Sequence, residues 1–232
     1  MNTKTISDGL EAAIKDPSLQ DTTASLAEVF LDATISEGVI RDIPFVGTIL
    51  GLGRAAVSIS DRIFLNKLIH MLTEIDSVPA EQRRQLVEAI GKSEKLTLKV
   101  GEKLIYIIDR CEDHRSLRIV GRLFRAYLEG RLSYSDFLRL SFAVNRLHYS
   151  DLLVFLEDDR SSIPAEEAGP YLGTGLVDLD PLYIRVVDQD DWKASEKYKI
   201  EGGEITASVT SLGQKLRSIL SSIKVGKNEK GG

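Results

Sequence analysis

The stretch from Gly38 to Leu72, GVIRDIPFVGTILGLGRAAVSISDRIFLNKLIHML, limits what this chain can fold into more than any other part. From Ile43 to Ser60, 18 residues, the only charge is Arg54. A helix needs ~20 apolar residues to cross a bilayer core, so the run falls just short. Arg54 and the Asp61–Arg62 pair also argue against a permanent span. Such a stretch has to be buried in the protein, in a partner or in a membrane. Two readings stay open. In one it is a glycine-packed helix or helical hairpin at the centre of a bundle. In the other it is held in the fold and released to dock a membrane surface or a protein partner. The contact residues would be Ile43, Phe45, Val46, Gly47, Ile49, Gly51, Leu52 and Gly53. Left exposed, the same surface would favour a homo-oligomer.

Local patterning around this stretch is helical. Ile6, Leu10, Ala13 and Ile14 suit one short amphipathic helix, at a polar terminus expected to fray. Leu26, Val29, Phe30 and Ala33 keep the same period up to Gly38. Pro44 starts the central element, because proline disfavours helical geometry at Ile43 before it. Gly47 and Gly51 form a small-xxx-small pair that lets another backbone approach. The central helix runs to about Glu74, and Ser77-Val78-Pro79 breaks it. Further helices are expected over 79–90, closed by Gly91, and over 95–111 and 114–128, capped by Gly130. Ser133 and Asp136 mark the start of another, to about Leu147. A short helix follows from Ser150 to Leu156.

After Glu157 the character changes. EDDRSSIPAEEAG is polar and turn-rich, so we place a domain boundary near residue 158. A short helix capped by Ser162 is expected over 163–172. Strand chemistry follows at 182–187, 197–200 and 205–209, with Gly202-Gly203 suited to a hairpin turn between the last two. Thr210 caps a final helix, 212–223. The expected architecture is therefore mainly α: a helical bundle at 1–158 around the glycine-rich apolar helix, then a small α+β domain at 159–232. The order short helix, GLV, strand, turn, strand, T-S-L-G-Q-K-L resembles the second half of a winged-helix domain. Gly175, Leu176, Val177, Thr210, Leu212, Gly213 and Leu216 carry that likeness.

The chain offers little catalytic chemistry. It holds 35 acidic and 30 basic residues, a net charge of −5. The recognition region of a DNA-binding winged helix would here be PAEEAGPYLG, with two glutamates and no base. Asp188 to Lys193 (DQDDWK) makes the wing acidic as well. Both repel phosphate and argue against nucleic acid, although a winged-helix nucleic-acid regulator remains the alternative reading. Asp191-Trp192-Lys193 with Asp178 and Asp180 has the acid-x-Lys spacing of some metal nucleases, a spacing that chance readily supplies here. Gly51 to Ala56 fits G-x-G-x-x-A, but helices follow it where a βαβ unit is required. His70, His114 and His148 are scattered, and Cys111 is the single cysteine, so neither zinc nor a disulfide is called for. No cofactor, metal or catalytic residue is expected. With no apolar leader at the N-terminus, a cytoplasmic protein is expected, peripheral at the inner membrane if the stretch docks there.

RDIPFVGTILGLGRAAVSISDRIFLNKL (Arg41 to Leu68) and LFRAYLEGRLSYSDFLRL (Leu123 to Leu140) resemble a group of small bacterial proteins. More loosely, helices followed by GLV and T-S-L-G resemble the abortive-infection alpha family, linked to anti-phage defence. The likeness covers about two thirds of the chain and transfers no active site. It implies a cytosolic, membrane-targeting, non-enzymatic accessory of bacterial defence.

Overall fold

A computed structural model describes residues 3–24, 59–91, 100–112, 114–188 and 198–221. The chain is mainly helical, with a small C-terminal region of two antiparallel sheets. It divides into two compact units, Met1–Asn145 and Arg146–Gly232.

In the first unit, α1 (Thr3–Lys15) is followed by a helical turn at 19–24. Then come α2 (Ile59–Ile75), α3 (Ala80–Gly91), α4 (Val100–Arg110), α5 (His114–Leu128) and α6 (Tyr134–Arg146). The expected fraying of the N-terminus is corrected: Leu10 and Ile14 are fully buried, and α1 packs on α4 and α3. Its apolar stripe outweighs the entropy of ordering a terminus. α2 lies along α5, burying Leu65, Leu68, Met71 and Leu72 against Leu117, Val120, Leu123 and Phe124. Gly121 makes this approach close, and Gly101 does the same for α4 on α1, where a methyl group would collide with the Ser7 carbonyl. An aromatic cluster of Phe124, Tyr127, Tyr134 and Phe137 joins α5 to α6.

The helix ends follow the sequence signals. Gly130 has φ +73°, and Arg131 N–H donates to the Ala126 carbonyl at 2.9 Å, which closes α5. Asp136 N–H donates to the Ser133 hydroxyl at 3.0 Å, which opens α6. Lys67 on α2 reaches the carbonyls of Asp109 and Cys111, where the negative end of α4 favours a cation. Arg83 on α3 is only 2 % exposed. It donates Nη2 to the Asp16 carbonyl at 2.8 Å, while Nε and Nη1 have no partner among the described residues.

The second unit begins earlier than the sequence suggests. α7 (Tyr149–Glu157) belongs with it rather than with the bundle, because Leu152 and Phe155 give it an apolar face buried within this unit. Phe155 meets Tyr171 at 5.1 Å between ring centroids and lies under the Arg217 guanidinium at 4.4 Å. The expected helix over 163–172 is corrected to three pieces. These are β1 (Ser162–Pro164), α8 (Ala165–Ala168) and a single 3-10 turn, Gly169–Tyr171. Ser162 is a strand residue there, opposite Ser208, and not a helix cap. The chain continues through β2 (Val177–Leu179), β3 (Ile184–Asp188), β4 (Tyr198–Gly202), β5 (Thr206–Val209) and α9 (Ser211–Leu220).

One sheet has the order β1-β5-β2 and the other is the ribbon β3-β4. The hairpin expected at Gly202-Gly203 is therefore corrected. β4 pairs with β3, and β5 pairs with β1 and β2. Gly202 (φ +90°) and Gly203 (φ +94°) turn the chain out of one sheet and into the other. The GLV and T-S-L-G residues meet at one junction. Thr210 Oγ1 donates to the Gly175 carbonyl at 2.7 Å and accepts from Gly213 N–H at 3.1 Å, capping α9. Leu212 and Leu216 are buried beneath it, and Val177 pairs with Val209.

Candidate functional site

Ile43, Phe45, Val46, Gly47, Ile49, Gly51, Leu52 and Gly53 lie outside the described residues, so the structure does not bear on the contact surface expected there. Of the Gly38–Leu72 stretch, α2 from Ile59 onward is described, and it is a core helix. Among the described residues no helix is long and apolar enough to cross a membrane.

The residues weighed for catalysis are used structurally. Asp180 accepts hydrogen bonds from the Ser208 and Thr206 hydroxyls at 2.6 and 2.7 Å, which hold its carboxyl below the usual range. Asp178 is exposed on β2, and Asp191 and Lys193 lie outside the described residues. No group of three metal-ligating side chains occurs among the described residues. Cys111 is buried, its thiol 3.1 Å from Asn145 Oδ1. His70 and His114 approach with ring centroids 5.8 Å apart. Beside them Glu74 receives Arg118 at 2.9 Å and Arg122 at 3.1 Å, an ionic clamp of α2 to α5. Burial, then the neighbouring His114, keep the His70 imidazole below its ordinary 6.5.

The feature that no internal packing explains is the β3-β4 ribbon. Its register sets Ile184 opposite Gly202, Val186 opposite Ile200 and Asp188 opposite Tyr198. Side chains alternate across a strand, so Ile184, Val186 and Tyr198 share one face, and Arg185, Val187, Lys199 and Glu201 share the other. The first face is open. Ile184 is 56 % exposed, Val186 63 % and Tyr198 58 %. Leu179, Leu182 and Ile205 extend the apolar surface around the ribbon's base. Scattered exposed leucines are ordinary, but large apolar side chains gathered on one strand pair are not.

The rim of this surface is acidic. Asp188 shares this face, and Asp178 and Glu204 are exposed in the flanking segments, while Glu201 lies on the other face, paired with Lys199 at 3.5 Å. The geometry suits a surface that buries apolar area and then meets positive charge. Among the described residues it offers no pair of groups placed for proton transfer or nucleophilic attack.

Sequence reasoning located these strands but did not single out the ribbon. The signal was there: Ile-Arg-Val and Tyr-Lys-Ile-Glu both alternate with period two. Alternation says which residues share a face, but not whether anything covers it. Comparisons with protein families, with curated proteins and with solved structures give no match to this chain.

Proposed function

We propose that this is a non-enzymatic docking protein, in which the open apolar face of the β3-β4 ribbon binds another protein. The observation that carries the proposal is the joint exposure of Ile184, Val186 and Tyr198 on one face of a strand pair. The sequence expectation of a docking protein is kept, while the contact element moves from residues 43–53 to the ribbon. The partner's matching surface is apolar with a basic rim, complementary to Asp178, Asp188 and Glu204. Anionic lipid would meet the same acidic rim with repulsion, which disfavours a bilayer as the occupant.

We read the second unit as winged-helix-like, a reading that accords with this role. β1, between α7 and α8, pairs with β5, and in that reading the separate β3-β4 ribbon takes the place of the wing. The recognition position is occupied by α8, four residues carrying Glu166 and Glu167, and one 3-10 turn. Those acids favour protein over phosphate backbone as a ligand. With the resemblance to abortive-infection proteins read from the sequence, the proposed role is docking within bacterial defence.

The test is a photo-crosslinking residue placed at position 186 in cells. One protein is expected to be trapped; purified, it should bind wild type and lose at least about tenfold in affinity for Val186→Lys. Unchanged binding by Val186→Lys, or vesicle binding that this variant abolishes, overturns the proposal.

A further inference from the structure

We infer that α5 carries a site for the phosphate backbone of a nucleic-acid duplex, bound without regard to base sequence and held by Arg118, Arg122 and Arg125. The site lies in the first unit, on a different element from the ribbon, so the inference goes beyond the docking proposal. α5, HRSLRIVGRLFRAYL, holds four arginines and no acidic residue in a chain whose net charge is −5. Its apolar side chains are all buried. Every position that α5 leaves wholly or partly open is basic: His114, Arg115, Arg118, Arg122 and Arg125. Spacings of four and three residues set Arg118, Arg122 and Arg125 along one face.

These arginines already stand in ion pairs, and the pairing is what aims them. Arg118 and Arg122 share Glu74, at 2.9 and 3.1 Å, and Arg125 shares Glu129 with Arg131, at 2.7 and 2.6 Å. Four guanidinium groups meet two carboxylates, which leaves a surplus of positive charge along the helix. Arg118, Arg122 and Arg125 each make their bond through Nε, and among the described residues their Nη groups make none. A guanidinium anchored at Nε keeps its terminal donors for a phosphate. His70 feels the same surplus: after burial, His114 and Arg118 hold its imidazole below 6.5 against the pull of Glu74.

The face selects its ligand by what it lacks. A protein partner needs an apolar or aromatic anchor at the centre of its footprint, and an interfacial membrane helix needs apolar side chains to bury. The open face of α5 has neither. Single strands are gripped by stacking on aromatic rings, whereas Phe124 and Tyr127 of α5 are buried. Contact with a duplex backbone asks only for cations in a row. From Arg118 to Arg125 the helix rises about 10 Å, a length over which one strand of a duplex carries about three phosphates.

The experiment is fluorescence anisotropy of the full chain with two labelled DNA duplexes of unrelated sequence and one RNA duplex. At about 50 mM salt wild type is expected to bind both DNA sequences equally, and three phosphate contacts should cost about 40-fold in affinity on going to about 200 mM. Binding of either kind of duplex supports the inference, and the tighter of the two names the source of the phosphates. Arg118→Gln leaves the Arg122–Glu74 bridge in place, and Arg125→Gln lies outside that bridge. Each is expected to weaken binding to both sequences by the same factor and to lower the salt slope by about 1. Lys199→Gln removes the same charge from the ribbon and should leave binding unchanged. Circular dichroism and melting temperature confirm that each variant is folded. A wild type that binds no duplex at about 50 mM salt, with protein up to about 100 µM, overturns the inference. So does binding that survives Arg118→Gln combined with Arg125→Gln, or an equal loss in Lys199→Gln. Polyglutamate or phosphatidylserine vesicles bound more tightly than the duplex, and lost in the same variants, overturn it too, since they assign the face to acidic protein or to lipid.

Discussion

Gly121 faces Glu74 so closely that a methyl group added to it would sit 2.9 Å from the Glu74 Cβ and 3.3 Å from the Met71 carbonyl. The obstacle is backbone-proximal, so α2 and α5 must separate to relieve it. Gly121→Ala is expected to destabilise the protein by about 1–3 kcal/mol, the cost of overpacking outweighing the gain in helix propensity. Gly91→Ala meets nothing within 4 Å and should be neutral or stabilising by up to ~1 kcal/mol. Urea denaturation of the two variants checks the contrast, and equal midpoints would refute the close crossing.

His70 should make stability depend on pH. Burial, then His114 and Arg118, depress its folded-state pKa, with Glu74 opposing them. As pH falls, the unfolded chain takes up the proton first. The contribution is therefore complete above about pH 7 and is lost as pH drops through 6.5 toward the folded-state value. His70→Gln is expected to flatten the melting temperature between pH 7.5 and 5.5. A slope identical to wild type would show that His70 is not the group responsible.

Arg83 is buried with two nitrogens that have no partner among the described residues, while Asp16 and Asp76 supply partial compensation. An orphaned buried donor costs about 1–3 kcal/mol. Arg83→Met fills the volume without the orphan donors and is expected to be neutral or stabilising by about 1 kcal/mol. Arg83→Ala leaves a void and should destabilise by about 2–4 kcal/mol. Thermal melts of the pair separate packing from charge.

Thr210 and Gly213 form the junction of the second unit. Thr210→Val removes the cap on α9 and should cost ~1 kcal/mol, while Thr210→Ser should restore most of it. Gly213→Ala drives a methyl group into the Leu176 carbonyl, and should cost more than the loss of the cap. Hydrogen exchange at the β5 amides reports both.

Much of this architecture could be read from local chemistry. Gly130, Ser133 and Thr210 each announce a helix end through a φ or a hydroxyl needed within four residues, and each acts as expected. The second unit was harder to read. Ser162-Ile163-Pro164 is too short to show a period, and becomes a strand only because β5 returns to pair with it over 40 residues later. Gly202-Gly203 has the composition of a hairpin turn, yet the partner of β4 is settled by the earlier strand β3. The exposed ribbon face was legible as alternation and illegible as exposure, because exposure depends on what the rest of the chain leaves uncovered.

The two glycines that carry the chain from β4 to β5 have a wider consequence. Since the strand pair shares no ladder with the three-stranded sheet, its hydrogen bonds can open without loosening Ala207 or Val209. Under the docking proposal, substitutions along the ribbon would alter what is recognised without disturbing the scaffold that presents it. On that proposal, binding preference would be free to diversify on a fixed chassis.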